Sequence, residues 1–429
     1  MTLRRLLLGL AACSGDVGTL NVSLATAPGS HVLDAAQTLR LTLTNSHQVT
    51  TATRGDSGFS IVLDLPASDA TGALIVEALD ASGNRIAAGE SPLIPFGAID
   101  AKIVIYMAAP NTVGAAPATL TPARSDLGIA GLTYGAVFAG GRDATGAPTD
   151  AIAIYNAFDH SLTGGLALPA ARSGVAVGVG ARNAVYLFGG TDPGGAPAGN
   201  LWRFDTTIAP SGAYSDFGDK AGFARTGETL VPLGDDRFLL TGTPAAQLAG
   251  LDGSIVAATS VPSLPAAGAA VVGSDGVPAA IFAGDAGIVR FRSDAFDTLD
   301  ATAHTGASVV ALPGGSVAVV CGSAPGARVD VATGALTALP AVPATPRTGC
   351  AAAATARHLV IAGGTGALDS VEVFDATTLA PVATATLTVP RTGANAIALP
   401  NGQVLIAGGT DAAGAPIATL ELFTPEPER

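Results

Sequence analysis

The chain has 429 residues, of which 48% are hydrophobic, 5% aromatic and 13% charged, with 55 Gly and 28 Pro. A formal net charge of −13, with Lys102 and Lys220 the only lysines, sets the average surface against a phosphate backbone and speaks against nucleic-acid binding. Gly and Pro cut the apolar runs short, which favours many strands and turns and leaves no run of the roughly 20 residues that a membrane-spanning helix needs.

Arg4-Arg5 precede the apolar run Leu6 to Ala12, and Cys13 follows at once. A basic start, an apolar stretch and small residues before a cut site form the pattern of a secretory signal. Leu10-Ala11-Ala12-Cys13 resembles the lipobox of bacterial lipoproteins. That resemblance implies a signal peptide over residues 1–12, acylation of Cys13, and a short tether over 13–16. Several acyl chains on one residue anchor stably where a single chain binds only marginally. Ser14 in place of Asp resembles the outer-membrane sorting pattern of enterobacteria. The expected partner of this end is therefore a membrane, reached through lipidated Cys13 in the cell envelope, with the body in the periplasm or on the surface.

Residues 17–110 alternate. Leu20 to Leu24, Leu39 to Leu43 and Ile61 to Leu65 place apolar side chains on one face and polar ones on the other. Leu74 to Leu79 runs into the turn cluster Asp80-Ala81-Ser82-Gly83-Asn84 and returns as Arg85 to Gly89, a hairpin by its turn chemistry. Six or seven short strands in about ninety residues predict a small two-sheet β-sandwich of immunoglobulin-like type that spaces the next domain from the lipid. The small and Pro-containing stretch 111–117 reads as a linker.

From residue 118 to 424 the chain repeats. Val360-Ile361-Ala362-Gly363-Gly364 is an apolar strand that stops on two glycines, and similar copies have their first glycine at 140, 189, 242, 284, 322 and 408. Units three to five carry worn copies, with Thr243, Asp285 and Ser323 in place of the second glycine. The gaps between first glycines, 38 to 53 residues, suit a four-stranded unit. An Arg opens strand a of most units (Arg124, Arg172, Arg225, Arg347, Arg391), and Ala267-Gly268 and Thr305-Gly306 stand in phase in units four and five. Strand c follows the glycines, as in Val371-Glu372-Val373-Phe374-Asp375.

The diglycines and the downstream strand c resemble the kelch family, including the central propeller of galactose oxidase. The resemblance implies an all-β, seven-bladed propeller, with six blades as the alternative. The orphan strand 118–121 would complete the last blade and remove its open edge, and residues 425–429 would form a tail. Sterically, the glycines allow a sharp turn and close passage to the next blade. A phosphate loop does not fit, since no helix follows them.

The loops after the glycines carry Asp143, Asp192 and Asp411, each followed by Gly and Pro. Together with Arg124, Arg172, Arg225, Arg347 and Arg391 they fall at one end of the propeller, so two readings stand. One is a polar pocket with arginines as carboxylate clamps. The other, which the residue types favour, is turn nucleation by Asp and pairing of each Arg with backbone or with a strand-c carboxylate such as Glu372 or Glu421. Cys321 and Cys350 lie at the same face of adjacent blades, and a disulfide and two buried thiols are both open. The five histidines show no metal-ligand spacing, no Gly-x-Ser-x-Gly elbow occurs, and the Tyr and Cys positions do not match the copper site of galactose oxidase. No cofactor, metal or catalytic residue is expected. The reading is a monomeric envelope lipoprotein whose propeller binds a protein, peptide or glycan. A sugar epimerase, mutarotase or lyase using the Arg and Asp groups is the alternative, and a purely structural envelope protein is a third.

Overall fold

In the computed structural model, each of the seven glycine-terminated apolar runs is the second strand of a four-stranded antiparallel sheet. The structure describes residues 17–427 apart from 56–58, 60, 67–70, 96–100, 209–210, 235 and 259–262. The signal segment and Cys13 lie outside the described residues. Sheet 1 starts with Gly128–Leu132, sheet 2 with Ala176–Val179, sheet 3 with Leu230–Gly234 and sheet 4 with Ala267–Val272. Sheets 5, 6 and 7 start with Ser308–Leu312, Ala351–Ala354 and Asn395–Ala398. These first strands touch one another in sequence, and that of sheet 7 touches that of sheet 1. The arrangement is consistent with a β-propeller.

The second strands explain why the sequence reads as unbroken apolar runs. Gly135–Ala139, Ala184–Phe188 and His358–Ala362 are buried at every position, because successive side chains point to opposite faces and each face meets a neighbouring sheet. Val185 and Leu187 pack toward sheet 1, whereas Tyr186 and Phe188 pack toward sheet 3. Each such interface is a separate core, and one formed by Leu405, Leu420, Ala136 and Phe138 joins sheet 7 to sheet 1. Outer strands such as Ser254–Ala257 are largely exposed, so apolarity falls from the middle of each sheet outward.

Closure differs from the expected boundaries. Thr112–Thr119 is the fourth strand of sheet 7, paired antiparallel with Thr419–Thr424, so residues 111–117 are not a linker and the closing strand is not confined to 118–121. Small residues and Pro117 disguise this strand in the sequence. The register shift between Ala115 and Thr119 accommodates Pro117, which has no N–H to give a ladder. The end of the chain is also engaged: Glu426 pairs with Arg85, and its carbonyl accepts from Arg357 Nη1 at 2.7 Å.

Residues 17–106 form a three-stranded and a four-stranded sheet around one core that includes Leu39, Leu41, Leu74, Val76 and Ile105. The hairpin Leu74–Leu79 with Arg85–Glu90 is present, and Asp80 Oδ1 accepts the turn N–H groups of Ser82 and Asn84 at 2.8 Å each. Glu77, fully buried in that hairpin, is held by Arg40 at 2.7 Å and Arg85 at 3.0 Å. No helix among the described residues is long and apolar enough to cross a membrane.

This N-terminal unit meets sheet 1 through a buried aromatic cluster. Val104 N–H donates to Phe158 O at 2.8 Å, and the Tyr106 ring lies 5.7 Å from that of His160. His160 is 2% exposed, with Nδ1 2.6 Å from Tyr155 Oη. Burial pushes the imidazole down to about 4, against a smaller opposing pull from Asp159. Tyr106 is pushed up to about 12 by burial, with Glu421 adding to the effect. Since the folded-state value of His160 lies below its unfolded value, its stability is complete above about 6.5 and is lost as pH falls toward about 4. Between pH 7 and 5 this one group should remove about 2 kcal/mol of unfolding free energy. Urea unfolding at a series of pH values checks this: His160→Asn, a residue that tolerates the left-handed backbone of this position at φ 54°, should flatten the dependence, and an unchanged slope would refute the assignment.

Candidate functional site

The face where the first strands begin is built from a repeated joint between arginine and diglycine. In sheet 6, Arg347 Nη1 donates to Gly363 O at 3.2 Å and Ser370 O at 3.0 Å. In sheet 7, Arg391 Nη1 donates to Gly408 O at 3.3 Å and Thr419 O at 3.1 Å. The second glycine then reaches the next sheet, Gly364 N–H donating to Arg391 O at 3.1 Å. Gly141 and Gly190 do the same to Arg172 O and Arg225 O, both at 2.8 Å. A Cβ on Gly140 would come within 2.4 Å of Arg172 O, and one on Gly363 within 2.6 Å of Arg391 O. The glycines are thus required both by φ, which is 64° at Gly363 and 132° at Gly364, and by this approach.

The five arginines expected at a ligand face are internal. Arg124 and Arg391 are fully buried, and Arg172, Arg225 and Arg347 are 6% exposed. What else the guanidinium meets varies with one position of the third strand. Glu372 lies opposite Ile361 and Glu421 opposite Ile406, and these carboxylates pair with Arg347 and Arg391. Each carboxylate is also capped by backbone: Ala344 N–H donates to Glu372 and Thr388 N–H to Glu421, both at 2.6 Å. In sheet 2 the same position is Trp202, opposite Leu187, and the Arg172 guanidinium lies 5.4 Å from its ring centroid. In sheets 1 and 3 the position holds Ala153 and Ala246. Without a carboxylate, burial lowers Arg124 to about 10, and Arg225 is lowered by burial with partial relief from Glu228. Burial is also the main cause that lowers Arg391, against the opposing charge of Glu421.

The aspartates after the glycines are partly exposed turn formers. Asp143 Oδ1 accepts from Thr145 N–H at 2.8 Å and Ala147 N–H at 3.1 Å, and Asp411 Oδ1 from Ala413 and Ala415 N–H, both at 2.9 Å. Asp192 Oδ1 accepts from Ala196 N–H at 2.9 Å. Hydrogen bonds from Thr145 hold the Asp143 carboxyl below its ordinary value. The eight Arg and Asp positions therefore share a face without converging on one pocket.

Register also places two worn copies differently from their sequence phase. Leu264 pairs with Gly242 where an Arg stands in other sheets, and His304 takes that place in sheet 5. Ser308 pairs with Val320 as Ala351 pairs with Ala362, which puts Cys321 on the first-glycine position with φ 61°. Its side chain is directed to sheet 6 and joined there to Cys350, with Cα atoms 6.0 Å apart.

Among the cavities that open on this face, two share a wall. One of about 590 Å³ lies between sheets 3, 4 and 5 and is lined by Arg225, Glu228, Thr243, Ser263, Asp285 and Thr305, among small residues. The other, about 330 Å³, is lined by Asp126, Gly174, Glu228 and Asn395 where the first strands of sheets 1, 2, 3 and 7 begin. Glu228 borders both. Burial raises the Asp126 carboxyl, while Arg142, 3.3 Å away, opposes the rise. Asp126 and Glu228 are absent from the sequence-derived set. A signal existed: Asp126 stands where Arg-Thr-Gly triplets have glycine, and Glu228 directly follows one of them. Among the described residues no group of three or more His, Cys, Asp or Glu side chains could hold a metal ion.

No family model matches the chain, and no curated protein does. A solved structure described as "Structure of YjhT" is similar, with a TM-score of 0.44 and 13% identity over 73% of this chain and 98% of that one.

The joint makes a direct prediction. Arg391→Ala leaves Glu421 buried and unpaired, and should destabilise the fold by about 3–5 kcal/mol. Chemical unfolding checks it, with the partly exposed turn residue Asp411→Asn as a control near the unsubstituted protein. A similar midpoint for both variants would overturn the structural role of Arg391.

Proposed function

We propose that the chain is a lipid-anchored protein of the cell envelope in which a seven-bladed kelch-type β-propeller, held off the membrane by an immunoglobulin-like sandwich, binds a peptide, protein or glycan as a monomer. The observation that carries this reading is the pair of cavities on one face, sharing Glu228 and lined by carboxylates, hydroxyls and backbone. Such a lining offers several hydrogen-bonding groups to a polar ligand, and a pocket of a few hundred Å³ is of the size that small ligands or side chains occupy. The carbohydrate-active alternative assigns its chemistry to Arg and Asp at the mouth. Arg347 and Arg391 instead spend their guanidinium groups on carbonyls and on Glu372 and Glu421.

The anchoring half of the reading rests on Arg4-Arg5, the apolar run to Ala12 and Cys13. Mass spectrometry of the mature protein should find an acylated Cys13 at the N-terminus. Recovery of unmodified Met1, or of a free Cys13 thiol, would sink the lipoprotein.

The binding half is tested by titrating the protein with short peptides and with solubilised cell-wall glycan fragments, following amide signals of Asp126, Glu228 and Asn395. Binding of one class should weaken about tenfold, roughly the 1.4 kcal/mol of one lost polar contact, in Asp126→Asn/Glu228→Gln with an unchanged melting temperature. If neither class perturbs these signals, the face is not a binding face.

A further inference from the structure

We infer that the N-terminal unit is a rigid mount on the end of the ring opposite the cavities. The anchored chain therefore turns its cavity face away from the bilayer, toward a water-borne polar partner and not toward a lipid of the same membrane. This rests on the lipid-anchored reading and adds the direction in which the face points.

In an antiparallel sheet successive turns alternate between its two ends. The diglycines end the second strands, so the turns after the first and third strands lie at the other end. Phe158 and His160 belong to such a turn, between Ile152–Asn156 and Ser161–Gly164 of sheet 1. Glu426 follows Thr419–Thr424, the third strand of sheet 7, and reaches the same end. The two bodies exchange side chains there. Phe158 packs against the core of the N-terminal unit, and Tyr106 of that unit is buried with Tyr155, Leu420 and Leu422 between sheets 7 and 1. Tyr106 Oη donates to Ala115 O at 3.0 Å, and the Arg85–Glu426 pair ties a second point. The connecting segment is bonded to both sides: Ala108 N–H donates to Ala88 O at 3.2 Å, and Asn111 N–H to Thr424 O at 2.8 Å. The unit cannot swing without emptying a packed core.

The tether joins the far end of this unit. Val17–Ala25 runs parallel to Ala101–Tyr106 with Ala25 beside Tyr106, so Val17 stands about 25 Å from the docked end at about 3.3 Å per residue. The turn at Asn45 lies at that far end too, because Leu43 pairs with Leu74 while Thr38 pairs with Leu79, next to Arg85. Charge acts in the same sense. Asp126, Glu228 and Asp285 line the cavities, and anionic headgroups repel such a face.

The test captures the mature chain on vesicles through a His tag in place of the acyl chains, with Cys13→Ser. A donor dye is placed at Asn45→Cys or at Ala412→Cys, both exposed turn positions, the latter in the turn after Gly408-Gly409. Energy transfer to an acceptor in the bilayer should be at least about threefold stronger from position 45 than from position 412, which lies farther off by the strands of the unit and of the ring. Spin labels at both positions together should give one narrow distance distribution. The untagged chain without acyl groups should stay in the supernatant when phosphatidylglycerol vesicles are sedimented. Equal or reversed transfer, a broad distribution, or co-sedimentation overturns the inference. Capture through the tag keeps these outcomes separate from acylation of Cys13, which mass spectrometry decides, and from ligand binding, which the titrations decide.

Discussion

The arrangement of the sheets depends on the approach of one backbone to another at the end of each second strand. A diglycine lets the chain turn where the next sheet's arginine carbonyl arrives within hydrogen-bonding distance, as at Gly364 and Arg391. The arginine side chain then occupies the carbonyls that the turn frees, those of Gly363 and Ser370 in sheet 6. Backbone carbonyls buried away from water need such donors. One residue type thus serves two sheets, its carbonyl receiving the preceding diglycine and its guanidinium satisfying its own. Loss of either member leaves buried polar groups exposed to each other without compensation, so the repeat constrains both together.

The worn copies replace this joint by other physical means. At the sheet 5 to sheet 6 boundary, Cys321 occupies the first-glycine position, where other copies exclude a side chain, and its sulfur reaches Cys350 on the next sheet. The group that would be a steric clash becomes the linkage. At sheet 2, Trp202 gives Arg172 an aromatic face in place of a carboxylate, and Asn200 Oδ1 accepts from Nη2 at 2.8 Å. A guanidinium accepts either solution because its charge is spread over a plane.

Much of this was legible in the sequence where the controlling signal is local. The strand–glycine corners of residues 140, 189, 363 and 408 follow from steric demands on consecutive residues, and each is found at the end of a second strand. Asp143 and Asp411 read as turn residues for the same reason. What was not legible depends on distant pairing. Thr112–Thr119 looks like a linker until Thr419–Thr424 lies beside it, some three hundred residues later in the chain. Cys321 was out of phase by one residue because phase in a worn copy is fixed by its ladder to Ser308–Leu312, not by the nearest glycine. Asp126 and Glu228 escaped notice because each sits singly in the chain, and only the gathering of first strands makes them neighbours of one cavity.

The same logic separates the two halves of the ring. Sheets 6 and 7 have complete joints, with an Arg, a diglycine and a buried Glu in each. Sheets 3 to 5 lose the glycines, the glutamate or the arginine, and the larger cavity lies among them. A repeat that needs every member to close a ring tolerates such losses only where neighbouring cores still carry the packing, and Val231, Leu239, Phe282 and Phe291 form one between sheets 3 and 4. Hydrophobic contact deeper in the sheets therefore keeps the ring shut while the polar end of the joint is released from scaffolding. The space opens where the joint has lost its members.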